Sequence, residues 1–110
     1  MITVSITDTK KSLTLKVEGH SGYAEQGKDI VCASASILAY TTAQNAMYMF
    51  DNHQLKCMPV LNLVEGDTEI TITPKQQFYE EGFHAYFLAS LGYSLLAKNY
   101  PENVRYIGFE

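Results

Sequence analysis

The sequence predicts an α+β fold, a largely antiparallel sheet with two main helices in the order ββαββαβ. Three observations carry that expectation. Two early segments alternate apolar and polar residues, a long stretch from Asp29 to about Asp51 contains neither Gly nor Pro, and a second apolar-periodic stretch must stop before Pro101. With 110 residues, 46% of them apolar, the chain suits one domain over 1–110 with a small core.

Ile2, Val4 and Ile6 alternate with Thr3, Ser5 and Thr7, and after the polar turn Asp8-Thr9-Lys10-Lys11 the period returns as Leu13, Leu15 and Val17. A period of two puts each set on one side of a strand, so this reads as a hairpin with one buried face. The next stretch opens with the capping-type Asp29 and is rich in Ala, Met, Ile and Leu, which favours a helix. Its apolar residues nearly encircle it. Ile30, Ala33, Ile37 and Tyr40 mark one face and Val31, Ala35, Leu38 and Ala46 another, which predicts a helix that is central or partly covered by a second subunit.

Val60 to Val64, then Glu65-Gly66-Asp67, then Glu69 to Thr73 read as a second hairpin with Ile70 and Ile72 inward. Thr73-Pro74-Lys75-Gln76 has the form of a helix start: a capping threonine, a proline suited to the first helical position and a glutamine that can close a capping box. Tyr79, Phe83, Phe87, Leu91 and Leu95 recur every fourth residue and predict the apolar stripe of that helix, weakened locally by Gly82 and Gly92. Val104 to Phe109, β-branched and aromatic, predicts a last strand.

The net charge of −4 and the lack of a Lys/Arg-rich run argue against binding nucleic acid through many phosphates. A cationic partner fits better. No leader-like pattern precedes Ile2, and no apolar run approaches membrane-spanning length, so the expected setting is cytoplasmic, without membrane contact. In that setting Cys32 and Cys57 are expected as reduced thiols.

The segment from Gly19 to Cys32 carries the chemistry. With Asp29 as N-cap, Cys32 falls in the first helical turn, where unpaired N–H groups and the positive dipole end favour negative charge and hence a nucleophilic thiolate. The Asp29 charge opposes that effect unless it is directed elsewhere, for example towards His20 or the helix's own N–H groups. His20, in the same segment, is the natural general base, and its imidazolium can protonate a leaving amine. Ser36, four residues beyond Cys32, shares its helix face and can meet substrate. Backbone N–H groups around Cys32 are candidate donors to an oxyanion. Gly19 and Gly22, which flank His20, suggest backbone geometry or close approach that a side chain would forbid, or are simply turn residues. Each residue also has a plainer reading. Cys32 can be a small buried hydrophobe, His20 a hydrogen-bonding loop residue, Asp29 only a cap and Ser36 a filler. His53 and Cys57 lack partners at metal-ligand spacing, so no metal and no cofactor are expected.

Together, Gly19-His20-Ser21-Gly22, Ala24, Gly27 and Asp29-Ile30-Val31-Cys32-Ala33 followed by Ser36 closely resemble the signature of the bacterial ribosomal-processing cysteine protease family, Prp. The length and order of elements resemble that family from end to end. Ser34 and Ala35 depart mildly from its pattern, in a way that bears on helix packing. The resemblance implies a homodimeric, cytoplasmic endopeptidase that removes a short N-terminal extension from ribosomal large-subunit protein twenty-seven. It implies Cys32 as nucleophile and His20 as general base, with Asp29 and Ser36 at the family's acidic and serine positions. Gly22 to Gly27 would form a mobile gate over the thiol. The competing expectation is a noncatalytic adaptor for ribosome assembly that holds a peptide with the same loop.

Overall fold

A computed structural model of the chain describes residues 1–25 and 27–109. Strands β1 (Ile2–Asp8) and β2 (Leu13–Gly19) form the first hairpin, followed by helix α1 (Ile30–Asp51), strands β3 (Val60–Val64) and β4 (Asp67–Ile72), helix α2 (Tyr79–Asn99) and strand β5 (Val104–Phe109). The sheet order is β3-β4-β2-β1-β5, antiparallel throughout except that β5 runs parallel to β1. The predicted element order and sheet type are therefore correct.

Alternation decides which side of the sheet is apolar. Val4 faces Val17, Ile6 faces Leu15, and Leu15 faces Ile70 across the next ladder; all belong to one buried core with the inner faces of both helices. On the polar side, Thr14 and Thr71 are cross-strand partners whose hydroxyls hydrogen-bond at 2.8 Å. The two helices are tied to the core through phenols. Tyr86 donates to the Ile70 carbonyl at 2.8 Å, and Tyr93 donates to the Ala35 carbonyl at 2.9 Å.

Helix α1 presents Val31, Ala35, Ala39, Ala43 and Ala46 to the core, and these small residues let its backbone lie close to the sheet. Of the two faces read from the sequence, the one with Val31, Ala35 and Ala46 is buried, while Ile30, Ile37 and Tyr40 are exposed. The helix is thus covered on one side and not central.

One expectation for α2 needs correction. Thr73 does not cap it: Pro74 forms an isolated β-bridge with Leu55, Gln76–Phe78 is a 3₁₀ turn, and the α-helix begins only at Tyr79. A backbone engaged in that bridge cannot enter a helix two residues later without an intervening turn. The four-residue stripe meets the core only through its first two members, Tyr79 and Phe83. Gly82, Tyr86, Ala89, Tyr93 and Leu96 are buried, whereas Phe87, Leu91 and Leu95 are exposed. A Cβ at Gly82 would lie 3.0 Å from an Ile72 methyl of β4, and one at Gly92 would lie 2.7 Å from a Leu38 methyl of α1. Close approach of backbones selected the face, not side-chain size.

The Tyr79 hydroxyl donates to the Asp8 carboxylate, fastening the start of α2 to the end of β1. Burial, then that hydrogen bond and the Asp8 charge, push the phenol up to about 12.

Candidate active site

The end of β2, the β3–β4 turn and the start of α1 converge at one end of the sheet. Gly19 closes β2 with a positive φ of 91°, and its N–H donates to the Gly66 carbonyl at 2.9 Å. A Cβ at Gly19 would run into the Met1 carbonyl oxygen, so both the conformation and the space require glycine. Gly22 and Gly27 also have positive φ but face open space. Gln26, inside the segment read as a gate, lies outside the described residues.

Asp29 caps α1. Its Oδ1 accepts from the N–H groups of Val31 at 3.0 Å and Cys32 at 2.9 Å, which places Cys32 at the third helical position as expected. Its Oδ2 accepts from the Ser21 hydroxyl and from the Ala24 N–H at 3.3 Å. Burial alone would raise its pKa, but these donors, led by Ser21 and then the Cys32 N–H, outweigh burial and hold the carboxyl at about 2. The Asp29 charge is directed into the helix N-terminus and Ser21. The same bonds correct the oxyanion expectation. The N–H groups of Val31 and Cys32 go to the Asp29 side chain and that of Ala33 to its carbonyl at 3.0 Å, so all three are committed in this state.

Cys32 is half-buried and Cys57 exposed, and neither is in a disulfide. Among the described residues the Cys32 thiol hydrogen-bonds not to His20 but to the Ser21 hydroxyl, at 3.3 Å. His20 is exposed. Its carbonyl accepts from the Met1 amino group, and its ring is seated against Gly66: a Cβ there would lie 2.7 Å from Nε2 and 3.0 Å from Cε1.

Two cavities adjoin the thiol. The larger, about 540 Å³, is lined by His20, Gly22, Gly27, Asp29, Cys32 and Ser36 together with Lys28 and Glu65. The smaller, about 140 Å³, again has His20, Cys32, Ser36 and Glu65 in its wall, with Gly19 and Gly66 beside them. Every residue singled out in the sequence thus borders this one region, and the thiol and the imidazole border both of its cavities.

Sequence reading missed three contributors. Ser21, 3% exposed, stands out in the sequence only as part of the motif, although its place between two glycines and beside His20 is a usable signal. Glu65 passed as a turn residue, because nothing local shows that the β3–β4 turn reaches the thiol. Asn103 donates through its side-chain amide to the Ser21 carbonyl at 2.9 Å, and the Tyr23 and Tyr100 rings meet edge to face with centroids 5.4 Å apart. The start of the loop is therefore pinned by the α2–β5 connection.

Comparison with known proteins decides the family. The family model for cysteine protease Prp matches residues 1–105. This chain belongs to the cysteine protease Prp family. It is a cysteine protease. No curated protein sequence matches it. In fold it is similar to the essential ribosomal processing protease Prp from S. aureus, crystallised with a covalently linked product peptide: 22% identity, a TM-score of 0.70, and 100% of both chains covered. The S. aureus enzyme with a substrate peptide gives 22% identity and a TM-score of 0.67, covering 98% of this chain and 99% of that one. A Streptococcus mutans protein gives 24% identity and 0.65, covering 100% and 96%.

Proposed function

We propose that this cysteine protease uses Cys32 as nucleophile and His20 as general base to remove the short N-terminal extension of ribosomal large-subunit protein twenty-seven. The observation that supports this most is that both residues wall the same two cavities at the N-terminus of α1. The net charge of −4 suits a basic ribosomal substrate.

In the reaction His20 takes the thiol proton and the sulfur attacks the scissile carbonyl carbon, giving a tetrahedral oxyanion. Collapse breaks the C–N bond. The His20 imidazolium donates its proton to the departing amine, leaving a thioester on Cys32. Water, deprotonated by the now neutral His20, attacks the thioester; its proton returns to the thiolate through the imidazole, and the acid product leaves. The N–H groups of residues 31 to 33 serve Asp29 in this state, so they can meet the oxyanion only if those bonds are given up. Ser36, exposed one turn beyond Cys32, contacts the peptide.

The protein works in the cytoplasm as a homodimer of one protease domain per chain, 1–110. The exposed apolar residues Ile37 and Tyr40 on α1 and Leu88, Leu91 and Leu95 on α2 support such an interface. Incubation of the extended ribosomal protein with wild type and with Cys32→Ala, followed by mass spectrometry, tests the reading. Wild type yields the shortened protein and the variant does not. Peptide binding without cleavage by wild type would instead make the chain an adaptor.

A further inference from the structure

We infer that Ser21 is a positioning residue that holds Cys32 in its resting thiol form, so that substrate or loop movement must release the sulfur before His20 can take its proton. The inference rests on Cys32 being the nucleophile and follows from counting hydrogens. A serine hydroxyl has one hydrogen and two lone pairs. Asp29 Oδ2 is an acceptor, so the single Ser21 hydrogen goes to it. The two lone pairs then take the Tyr23 N–H at 3.2 Å and the Cys32 S–H at 3.3 Å.

Ser21 Oγ is therefore saturated, and the chain is polarised in one direction, from thiol to hydroxyl to carboxylate. Loss of the thiol proton in this arrangement leaves the Ser21 oxygen facing a sulfur anion with no hydrogen to offer. Turning that hydrogen to the sulfur would strip Asp29 Oδ2 of a buried donor, leaving it the longer bond from Ala24. The direction does not reverse near neutral pH, because Asp29 keeps its charge down to about 2. Burial of Ser21 and the Asn103 bond to its carbonyl fix the hydroxyl in place. The titratable and charged groups bordering the thiol's cavities are His20 at the end of β2, Lys28 and Asp29 before α1, Tyr40 on α1 and Glu65 at the β3–β4 turn. A Ser21 substitution leaves all five in the chain, so a change in the pH profile reports the latch.

The test is the rate of iodoacetamide alkylation at Cys32, read by peptide mass spectrometry across pH for wild type, Ser21→Ala and Ser21→Thr. Release of the latch raises the neutral-pH rate of Ser21→Ala about threefold to tenfold, the scale of one hydrogen bond. It shifts the profile to lower pH and leaves the high-pH plateau unchanged, while Ser21→Thr, which keeps the hydroxyl, follows wild type. An unchanged or slower rate in Ser21→Ala overturns the assignment. So does a raised plateau without displacement, which would mean only a more accessible sulfur. Should Ser21→Ala not fold, the infrared S–H stretch of unmutated protein decides, assigned by its loss in Cys32→Ser. A band lowered relative to that of exposed Cys57 supports the latch, and an unlowered band overturns it. Alkylation is independent of proteolysis, so failure here is distinct from failure of Cys32 as nucleophile, which retained cleavage by Cys32→Ala would show.

Discussion

Two residues at the active site act through what surrounds them. Gly66 supplies an absence: its missing side chain is the seat of the His20 ring. Gly66→Ala is expected to lower turnover at least about tenfold by displacing the imidazole, within the range that a positioned acid/base contributes. In a His20→Ala background the same change should cost nothing further. Gly108→Ala, with a φ of +96° but no neighbour closer than 3.9 Å, carries the backbone strain without the displacement and serves as control.

Asp29 supplies a charge whose pKa in the folded state, about 2, lies below its ordinary value of 3.8. The carboxylate therefore contributes stability that is complete above about pH 4 and is lost as pH falls through about 2. Denaturant titrations should show wild type losing on the order of 1–2 kcal/mol more than Asp29→Asn across that interval. Equal acid sensitivity would mean that Asp29 is not held by these donors. Asp29, Cys32 and His20 were legible because a helix cap and a flanking glycine loop are local patterns. Ser21's bonds were not, since they depend on how the loop folds back over α1, and Glu65 and Gly66 arrive from a hairpin more than thirty residues along the chain.

At the level of elements, alternation identified β1, β2, β4 and their buried faces, because a period of two has only one way to bury a side. Helix α2 was less legible. The large apolar residues at every fourth position run from Tyr79 and Phe83, partly buried against the core, to the exposed Phe87, Leu91 and Leu95, while the fully packed face uses Gly82, Ala89 and two tyrosines. The Tyr93 phenol, whose pKa burial pushes well upward, stays protonated and donates to α1 throughout the working range. Tyr93→Phe leaves the Ala35 carbonyl without that donor, and thermal or denaturant unfolding should register a loss of about 1 kcal/mol with turnover little changed. A large loss of turnover at unchanged stability would place Tyr93 in the chemistry instead.

For the whole molecule, the sheet is a platform that gathers three separate chain segments at one end: the loop after β2, the start of α1 and the β3–β4 turn. No helix among the described residues is long and apolar enough to cross a membrane. Cys57 is exposed, appears in neither cavity wall beside the imidazole, and is expected to be dispensable. The gathering of Cys32 and His20 is what the account rests on, and an acyl group on the sulfur is its most direct consequence. Acid-quenching the enzyme during turnover of an extended ribosomal peptide, then digesting and weighing it, reads that intermediate. The account predicts the substrate's N-terminal fragment attached to the peptide containing Cys32, absent in Cys32→Ala and unaffected by Cys57→Ser. Attachment at another residue, or cleavage persisting in Cys32→Ala, would contradict it.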